Sequence, residues 1–173
     1  MHLLSNQKFD LVVIGGGAAG FMSAITASEK GVSSVLLLEG NPKPLEKVRI
    51  SGGGRCNVTN ACWDPKDLAV NYPRGKSSLL HTFRRFASGD AVSWFADRGV
   101  NLIVENDGRM FPSSNSSSEI ISCLQNAAKS SGVYLNTGLQ VKEIKYLDHK
   151  HFVINCRDGS VFESSMVLIA TGS

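Results

Sequence analysis

The sequence predicts an α/β domain built on a parallel β-sheet, and three stretches carry the prediction. The apolar run Phe9-Asp10-Leu11-Val12-Val13-Ile14 passes directly into Gly15-Gly16-Gly17-Ala18-Ala19-Gly20, the Gly-x-Gly-x-x-Gly order of a strand turning into a helix. A second apolar run, Val35-Leu36-Leu37-Leu38, ends at Glu39, nineteen residues beyond Gly20. The last forty residues alternate as β-structure before a further apolar stretch over 166–170.

Each early element has a local reason. A strand over 9–14, a helix over about 18–30 and a strand over 34–39 make a βαβ beginning, with Gly31 placed to stop the helix in the left-handed region. Gly15 permits the tight turn, Gly17 lets the backbone approach a phosphate, and Gly20 allows helix and strand to pack closely. Backbone N–H groups at the start of such a helix suit a dinucleotide pyrophosphate, with Gly15, Gly16, Gly17, Ala18, Ala19 and Gly20 facing it. Glu39 stands where an acidic side chain accepts hydrogen bonds from an adenosine ribose. A merely solvated strand end is the bland alternative for Glu39.

After Asn41-Pro42-Lys43-Pro44 breaks regular structure, a polar, Gly-rich loop is expected through about residue 76. Residues 77–98 read as helical, from Leu79, Leu80, Phe83, Phe86, Val92, Phe95 and Ala96, with Gly89 separating two helices. A short strand follows over 102–105, then a turn at Asn106-Asp107-Gly108. The run Ser113-Ser114-Asn115-Ser116-Ser117-Ser118 reads either as a serine linker or as a helix start. Ser116-x-x-Glu119 before Ile120, Ile121 and Leu124 favours the start, as a capping box. A strand over 133–136 precedes a meander over 141–147, 152–156 and 161–163, with Asp158-Gly159 as a hairpin turn, and then the buried strand over 166–170.

Composition narrows the function classes. At 173 residues, 42% hydrophobic and 19% charged, the chain has the make-up of a soluble protein able to bury roughly 70% of its unfolded surface. No apolar run approaches the ~20 residues of a membrane span, and residues 1–8 lack a secretory core, so a cytoplasmic location is expected. The net charge of +3 is mild and the basic residues are scattered in sequence, so no nucleic-acid or membrane partner is expected. Cys56, Cys62, Cys123 and Cys156 show no Cys-x-x-Cys spacing, and His2, His81, His149 and His151 form no ligand pattern, so no metal is expected. His149 and His151, flanking Lys150, read as solvated hairpin residues. No Ser/His/Asp set or paired carboxylates point to hydrolysis.

The more discriminating motif is Lys47-Val48-Arg49-Ile50-Ser51-Gly52-Gly53-Gly54-Arg55-Cys56-Asn57-Val58-Thr59-Asn60. Gly52, Gly53 and Gly54 bare backbone N–H groups that can form a concave anion or carbonyl site. Ser51 and Asn57 add neutral hydrogen-bonding groups and Arg55 adds a fixed positive charge. A flavin needs such surroundings, because its reduced form carries negative charge near N1 and the C2 carbonyl. Cys56 invites a redox reading, but small buried thiols are common and Cys62 is not at a disulfide-oxidoreductase spacing. Arg109 is open to an anion-binding or a structural ion-pair role. Asn57 and Asn60 serve either the flavin or their own turns.

With Gly108-Arg109-Met110-Phe111-Pro112, this motif resembles the flavoprotein family of aminoacetone-oxidase-like and bile-acid dehydro-reductase-like proteins, over essentially the whole chain. The element order likewise resembles the glutathione-reductase-like FAD-binding Rossmann-type domain, with its parallel sheet and β-meander. That resemblance implies that 133–136 pairs beside Val35–Leu38 and that 167–170 lies beside the first strand. It also implies that Ala170, Thr171 and Gly172 pass close to the cofactor, and that Val141 offers backbone hydrogen bonds to adenine. Family membership implies non-covalent FAD, with Lys47 and the Ser51–Asn60 loop beside it, and reduction of conjugated carbonyl compounds or amine oxidation as member activities.

Family proteins run to about twice this length, so the resemblance implies a truncated FAD-binding domain over 1–173, lacking a substrate domain and a closing C-terminal segment. Three functions follow from these readings. The first is the FAD-binding part of an oxidoreductase moving hydride through flavin N5, with NAD(P)H as reductant and a small organic molecule as substrate. The second is a non-catalytic FAD-binding or interaction module. The third is a nicotinamide-only dehydrogenase, against which the meander and the glycine-rich loop both argue.

Overall fold

A computed structural model describes residues 7–147 and 151–172. In chain order the elements are β1 (Lys8–Ile14), α1 (Ala18–Glu29), β2 (Val35–Leu38), α2 (Glu46–Gly54), β3 (Thr59–Asn60) and α3 (Pro65–Val70). Then come α4 (Lys76–Phe83), α5 (Ser88–Ala96), β4 (Leu102–Val104), β5 (Arg109–Pro112) and α6 (Ser117–Ser130). The chain finishes with β6 (Tyr134–Asn136), β7 (Val141–Leu147), β8 (His151–Cys156) and β9 (Val161–Ile169). It divides into two compact units, residues 1–47 with 124–173, and residues 48–123.

The first unit holds a six-stranded sheet in the order β6-β2-β1-β9-β8-β7. β1 pairs in parallel with β2 and β9, and β2 in parallel with β6, as the resemblance implied. β7, β8 and β9 form the antiparallel meander. Val12, Val13, Leu36 and Leu37 are fully buried, which explains why β1 and β2 read as continuous apolar runs rather than alternating ones. On α1, Phe21, Ala24 and Ile25 are buried at helical spacing. Burying each of Phe21, Ile25, Leu36 and Leu37 contributes about 1.5–3 kcal/mol. The helix stops where expected. Gly31 has φ +95°, its N–H donates to Ser28 O (3.0 Å) and the Val32 N–H to Ala27 O (3.0 Å), which is the paired-bond C-terminus that glycine favours. Gly132 ends α6 in the same way, with φ +82° and the Val133 N–H donating to Ala128 O.

One expectation for this unit needs correcting. The third meander strand and the buried strand are a single element, β9, which pairs with β8 through 161–164 and with β1 through 163–169. Ser164 and Ser165 look like a break in sequence. Ser164 is nevertheless fully buried, and its hydroxyl donates to Met166 O (2.6 Å), so a polar residue is carried through the sheet without an unmet bond. Nor is the C-terminal half of β9 wholly buried, since Met166 is 45% and Ile169 66% exposed. His151 is not merely solvated. Its Nε2 lies 3.0 Å from Glu163 Oε2 on the adjacent strand, while His149 falls outside the described residues.

In the second unit a small antiparallel sheet, β3-β5-β4, packs Met110 and Phe111 inward with Phe95, Leu68 and Ala69 also buried. The expected loop through residue 76 in fact contains α2, β3 and α3. These are too short for a periodicity to register, although Asp64-Pro65 is a helix start: Asp64 Oδ1 accepts from the Lys66 N–H at 2.6 Å and Pro65 needs no donor. The break in 77–98 falls at 84–87, and Gly89 sits in the first turn of α5, whose Asp90 carboxylate accepts from the Ala87 N–H (2.8 Å). Ser116 caps α6 through the Ser118 N–H (3.3 Å). Glu119 does not close the box, because its carboxylate takes the Ser114 hydroxyl instead.

A test of the β1–α1 junction is Gly20→Ala. A β-carbon there lies 1.9 Å from Gly15 O, so the backbone must shift. Thermal unfolding should show a net loss of about 2 kcal/mol or more from overpacking. Helix propensity alone would raise stability by about 1 kcal/mol, and a rise would contradict the packing shown.

Candidate functional site

The first unit gathers eleven of the residues singled out in the sequence at one end of its sheet. Gly15 (φ +111°) turns β1 toward α1, and a β-carbon on it meets Ala170 O at 2.4 Å and Thr171 Cα at 2.9 Å. The strand end of β9 therefore passes directly against the glycine turn. Gly172 lies at the same end, with Lys47 Nζ 3.7 Å from where its β-carbon would stand. Gly20 packs on Gly15, while Ala18 and Ala19 are exposed at the first turn of α1. A cavity of about 450 Å³ opens beside them, lined by Gly15, Glu39, Val141, Lys142, Ile169 and Thr171 among others. That is within the roughly 300–1,000 Å³ of small-molecule sites.

Gly17 is the informative glycine. Its backbone (φ −84°, ψ −176°) is an ordinary extended one, and a β-carbon on it would meet nothing within 4 Å. Neither conformation nor packing requires glycine there, so the missing side chain leaves open space at the N-terminus of α1. An extended anionic group approaching the backbone fills such a space. Glu39 is set beside it. Its Oε2 accepts from the Gly16 N–H (2.6 Å) and its Oε1 from the Asn41 N–H (2.7 Å). A carboxylate offers about four lone-pair sites, so roughly two remain for ligand hydroxyls. Glu39 is thus neither solvated nor idle: it fixes the glycine loop and keeps acceptor capacity toward the cavity.

Asn136 was not singled out in the sequence. Its carbonyl accepts the Glu39 N–H (2.9 Å), and its side-chain Nδ2 is buried without a partner. Nothing in its local sequence signals this, because its neighbour Leu38 is nearly a hundred residues away.

The remaining predicted site residues, Ser51, Gly52, Gly53, Gly54, Arg55 and Asn57, lie in the second unit. After one helical turn of α2, Gly52 (φ +56°) and Gly53 (φ +69°) are both left-handed, followed by Gly54 (φ +87°) and Cys56 (φ +63°). Glycine adopts this conformation without strain at 52, 53 and 54, whereas Cys56 takes it as a side-chain-bearing residue. Gly52 is also held tightly, its absent β-carbon 2.7 Å from Phe111 Cε1 and 2.9 Å from Asn57 N, whereas Gly53 and Gly54 face open space. The Ser51 hydroxyl donates to Val48 O (3.0 Å).

Arg55, read in the sequence as a fixed positive charge, has several partners within its own unit. Its guanidinium stacks on Phe111 (4.0 Å to the ring centroid), pairs with Glu105, and donates to Asn115 Oδ1 (3.4 Å) and Gly52 O (3.3 Å). Much of its charge is met within this unit, and it braces the glycine turn. Arg109 takes the structural role left open for it, pairing with Asp107 at 2.7 Å and lying 3.6 Å from Glu105. The Arg109 N–H, then its guanidinium, hold the Asp107 carboxyl below the usual carboxylate range.

The cysteines are all free thiols. Burial pushes the Cys56 thiol up, against a smaller opposing hydrogen bond from Ser51. Burial also raises Cys123, and raises Cys156 to about 11 with help from the Asp158 charge. Cys56 therefore lacks the thiolate that redox exchange requires near neutral pH. With iodoacetamide at pH 8, peptide mapping should find the part-exposed Cys62 alkylated first and Cys56, Cys123 and Cys156 slowly. Preferential labelling of Cys56 would contradict this assignment.

Comparison with known proteins agrees with the geometry. The HI0933-like protein Rossmann domain matches residues 9–173. A 3-dehydro-bile acid delta(4,6)-reductase of Clostridium scindens is 30% identical over 161 residues, covering 92% of this chain and 38% of that protein. A ribosomal RNA dihydrouridine synthase of Escherichia coli is 28% identical over 166 residues, covering 96% and 40%. The open conformation of a flavocytochrome c3 fumarate reductase superposes with a TM-score of 0.74 at 23% identity, covering 98% of this chain and 34% of that one, a likeness of fold. The chain spans about two-fifths of the length of the curated relatives it matches. Among the described residues no helix is long and apolar enough to cross a membrane. This chain belongs to the HI0933-like family as its Rossmann domain, a FAD-binding domain of flavin oxidoreductases.

Proposed function

We propose that this chain is the FAD-binding part of an oxidoreductase that reduces a carbon–carbon double bond conjugated to a carbonyl, with NAD(P)H as the reductant. The observation that carries the cofactor assignment is the open space at Gly17, bounded by the start of α1 and by Glu39. Bound FAD supplies a hydride donor and acceptor at its N5 position.

The chain's own residues orient the cofactor. Backbone N–H groups from Gly17 to Gly20 would meet the pyrophosphate, where the positive end of the α1 dipole favours negative charge, while the Gly16 N–H holds Glu39 in place. Lys47 adds a cation beside Gly172. Glu39 uses its remaining lone pairs on the ribose hydroxyls, and the backbone of Val141 lines the space for adenine. Ser51, the Gly52–Gly54 turn, Arg55 and Asn57 serve the flavin ring. This part of the proposal rests on the family resemblance and on the open faces of Gly53 and Gly54. Glu105 moderates the Arg55 charge there.

The reaction class draws on the relatives. The delta(4,6)-reductase is named for the carbon–carbon double bonds it reduces, and the dihydrouridine synthase for a product in which one has been saturated. Their substrates share that bond and little else.

The test is Gly17→Val, because valine suits the extended backbone at this position. The variant should unfold within about 0.5 kcal/mol of wild type, as an unobstructed substitution does. Its FAD affinity should fall about a hundredfold, some 2.7 kcal/mol. A folded variant that binds FAD as the wild type does would overturn the cofactor site.

A further inference from the structure

Between Asp67 and Asp90 the chain carries Arg74, Lys76, Arg84 and Arg85 and no acidic residue. The other 151 residues hold fourteen basic and fifteen acidic side chains, so the whole net positive charge resides in this one segment. The structure concentrates it further. Arg74, Lys76, His81, Arg84 and Arg85 are all exposed, and the four Lys and Arg side chains make no ion pair among the described residues. His81, Arg84 and Arg85 stand at i, i+3 and i+4, on the outward face of α4 and its last turn, together with the hydroxyls of Ser77 and Ser78.

α4 is unusual in this chain for burying none of its residues. Its apolar side chains Leu79, Leu80 and Phe83 are half-buried, and Phe83 holds the Tyr72 ring at 5.4 Å. Tyr72 and Phe86 remain 44% and 43% exposed at the two ends of the segment. Unpaired cations flanked by two exposed aromatic rings are the chemistry of a phosphodiester backbone with stacked, unpaired bases. A membrane surface fits less well, because the apolar stripe of α4 is turned inward rather than offered for insertion.

We propose that the α4 surface, formed by Arg74, Lys76, Arg84 and Arg85 with Tyr72 and Phe86, docks single-stranded nucleic acid. This inference is independent of the cofactor assignment. It departs from the expectation drawn from scattered basic residues, since four of them fall within residues 74–85, on α4 and the turns at its two ends. Neutralising up to four phosphates on a single strand gives log K against log salt a slope of about −3, or roughly a fiftyfold loss between 50 and 200 mM salt.

The experiment is fluorescence anisotropy of a labelled 20-residue oligouridylate titrated with the 173-residue chain at several salt concentrations. Wild type should bind with that slope. Arg84→Gln/Arg85→Gln should reduce its magnitude by about 1.4. Tyr72→Ala/Phe86→Ala should weaken binding with the slope unchanged. Lys129→Gln/Arg157→Gln removes the same charge from exposed positions elsewhere and should change affinity less than about twofold. If Arg84→Gln/Arg85→Gln fails to fold by circular dichroism, Arg74→Gln/Lys76→Gln serves in its place. The proposal fails if no binding is seen at about 100 µM chain, the weak end of non-specific binding. It also fails if the charge-matched control loses as much, or if phosphatidylserine vesicles bind through Arg84 and Arg85 while the oligonucleotide does not.

Discussion

Three backbone segments of the first unit meet at a point where no side chain fits. The β-carbon missing from Gly20 would stand 1.9 Å from Gly15 O, and the one missing from Gly15 would stand 2.4 Å from Ala170 O. This close approach lets α1 begin hard against the end of β1 while the end of β9 runs alongside. The start of a helix, with its unmet N–H groups, is thereby brought to the carboxyl edge of a parallel sheet, where ligands of open α/β sheets bind. The cavity bounded by Glu39, Val141 and Thr171 follows from the same packing. So does the placement of the open space at Gly17, immediately before the first turn of α1.

The second unit solves a comparable problem by other means. Gly52 and Gly53 are left-handed in succession, a conformation with no regular hydrogen-bond ladder to sustain it. It is held from outside, by Phe111 against Gly52 and by Arg55, which stacks on the same ring and donates to the Gly52 carbonyl. Glu105 and Asn115 then fix Arg55. Phe111 is fully buried, so the turn is anchored in the core of its unit. The arginine thus acts in the first place on its own loop, and any charge it presents to a ligand is what Glu105 leaves unmet.

The parts legible in the sequence were those with local causes. Gly20 and Gly31 each have a reason within a few residues, and the apolar runs of β1 and β2 announce a sheet covered on both faces. The illegible parts depend on distant partners. Nothing near Arg55 indicates Glu105, fifty residues on, and nothing near Ser164 shows that its hydroxyl turns back to Met166 O and lets β9 continue. The short helices α2 and α3 stayed hidden because six to nine residues give no periodicity, and tertiary packing rather than propensity holds them. Glu39 was placed correctly at its strand end. Its bonds to the Gly16 and Asn41 N–H groups could be seen only once β2 lay beside the glycine loop.

The central claim is that the first unit holds the adenosine and pyrophosphate half of FAD. Isothermal titration calorimetry of the chain with ADP, FAD and FMN, run in parallel, tests it most directly. ADP should compete with FAD for a single site, and FMN, which lacks the adenosine, should bind far more weakly than either. Binding of FMN with no response to ADP would contradict the account, because it would place recognition at the flavin end and leave the Gly17–Glu39 site without its ligand.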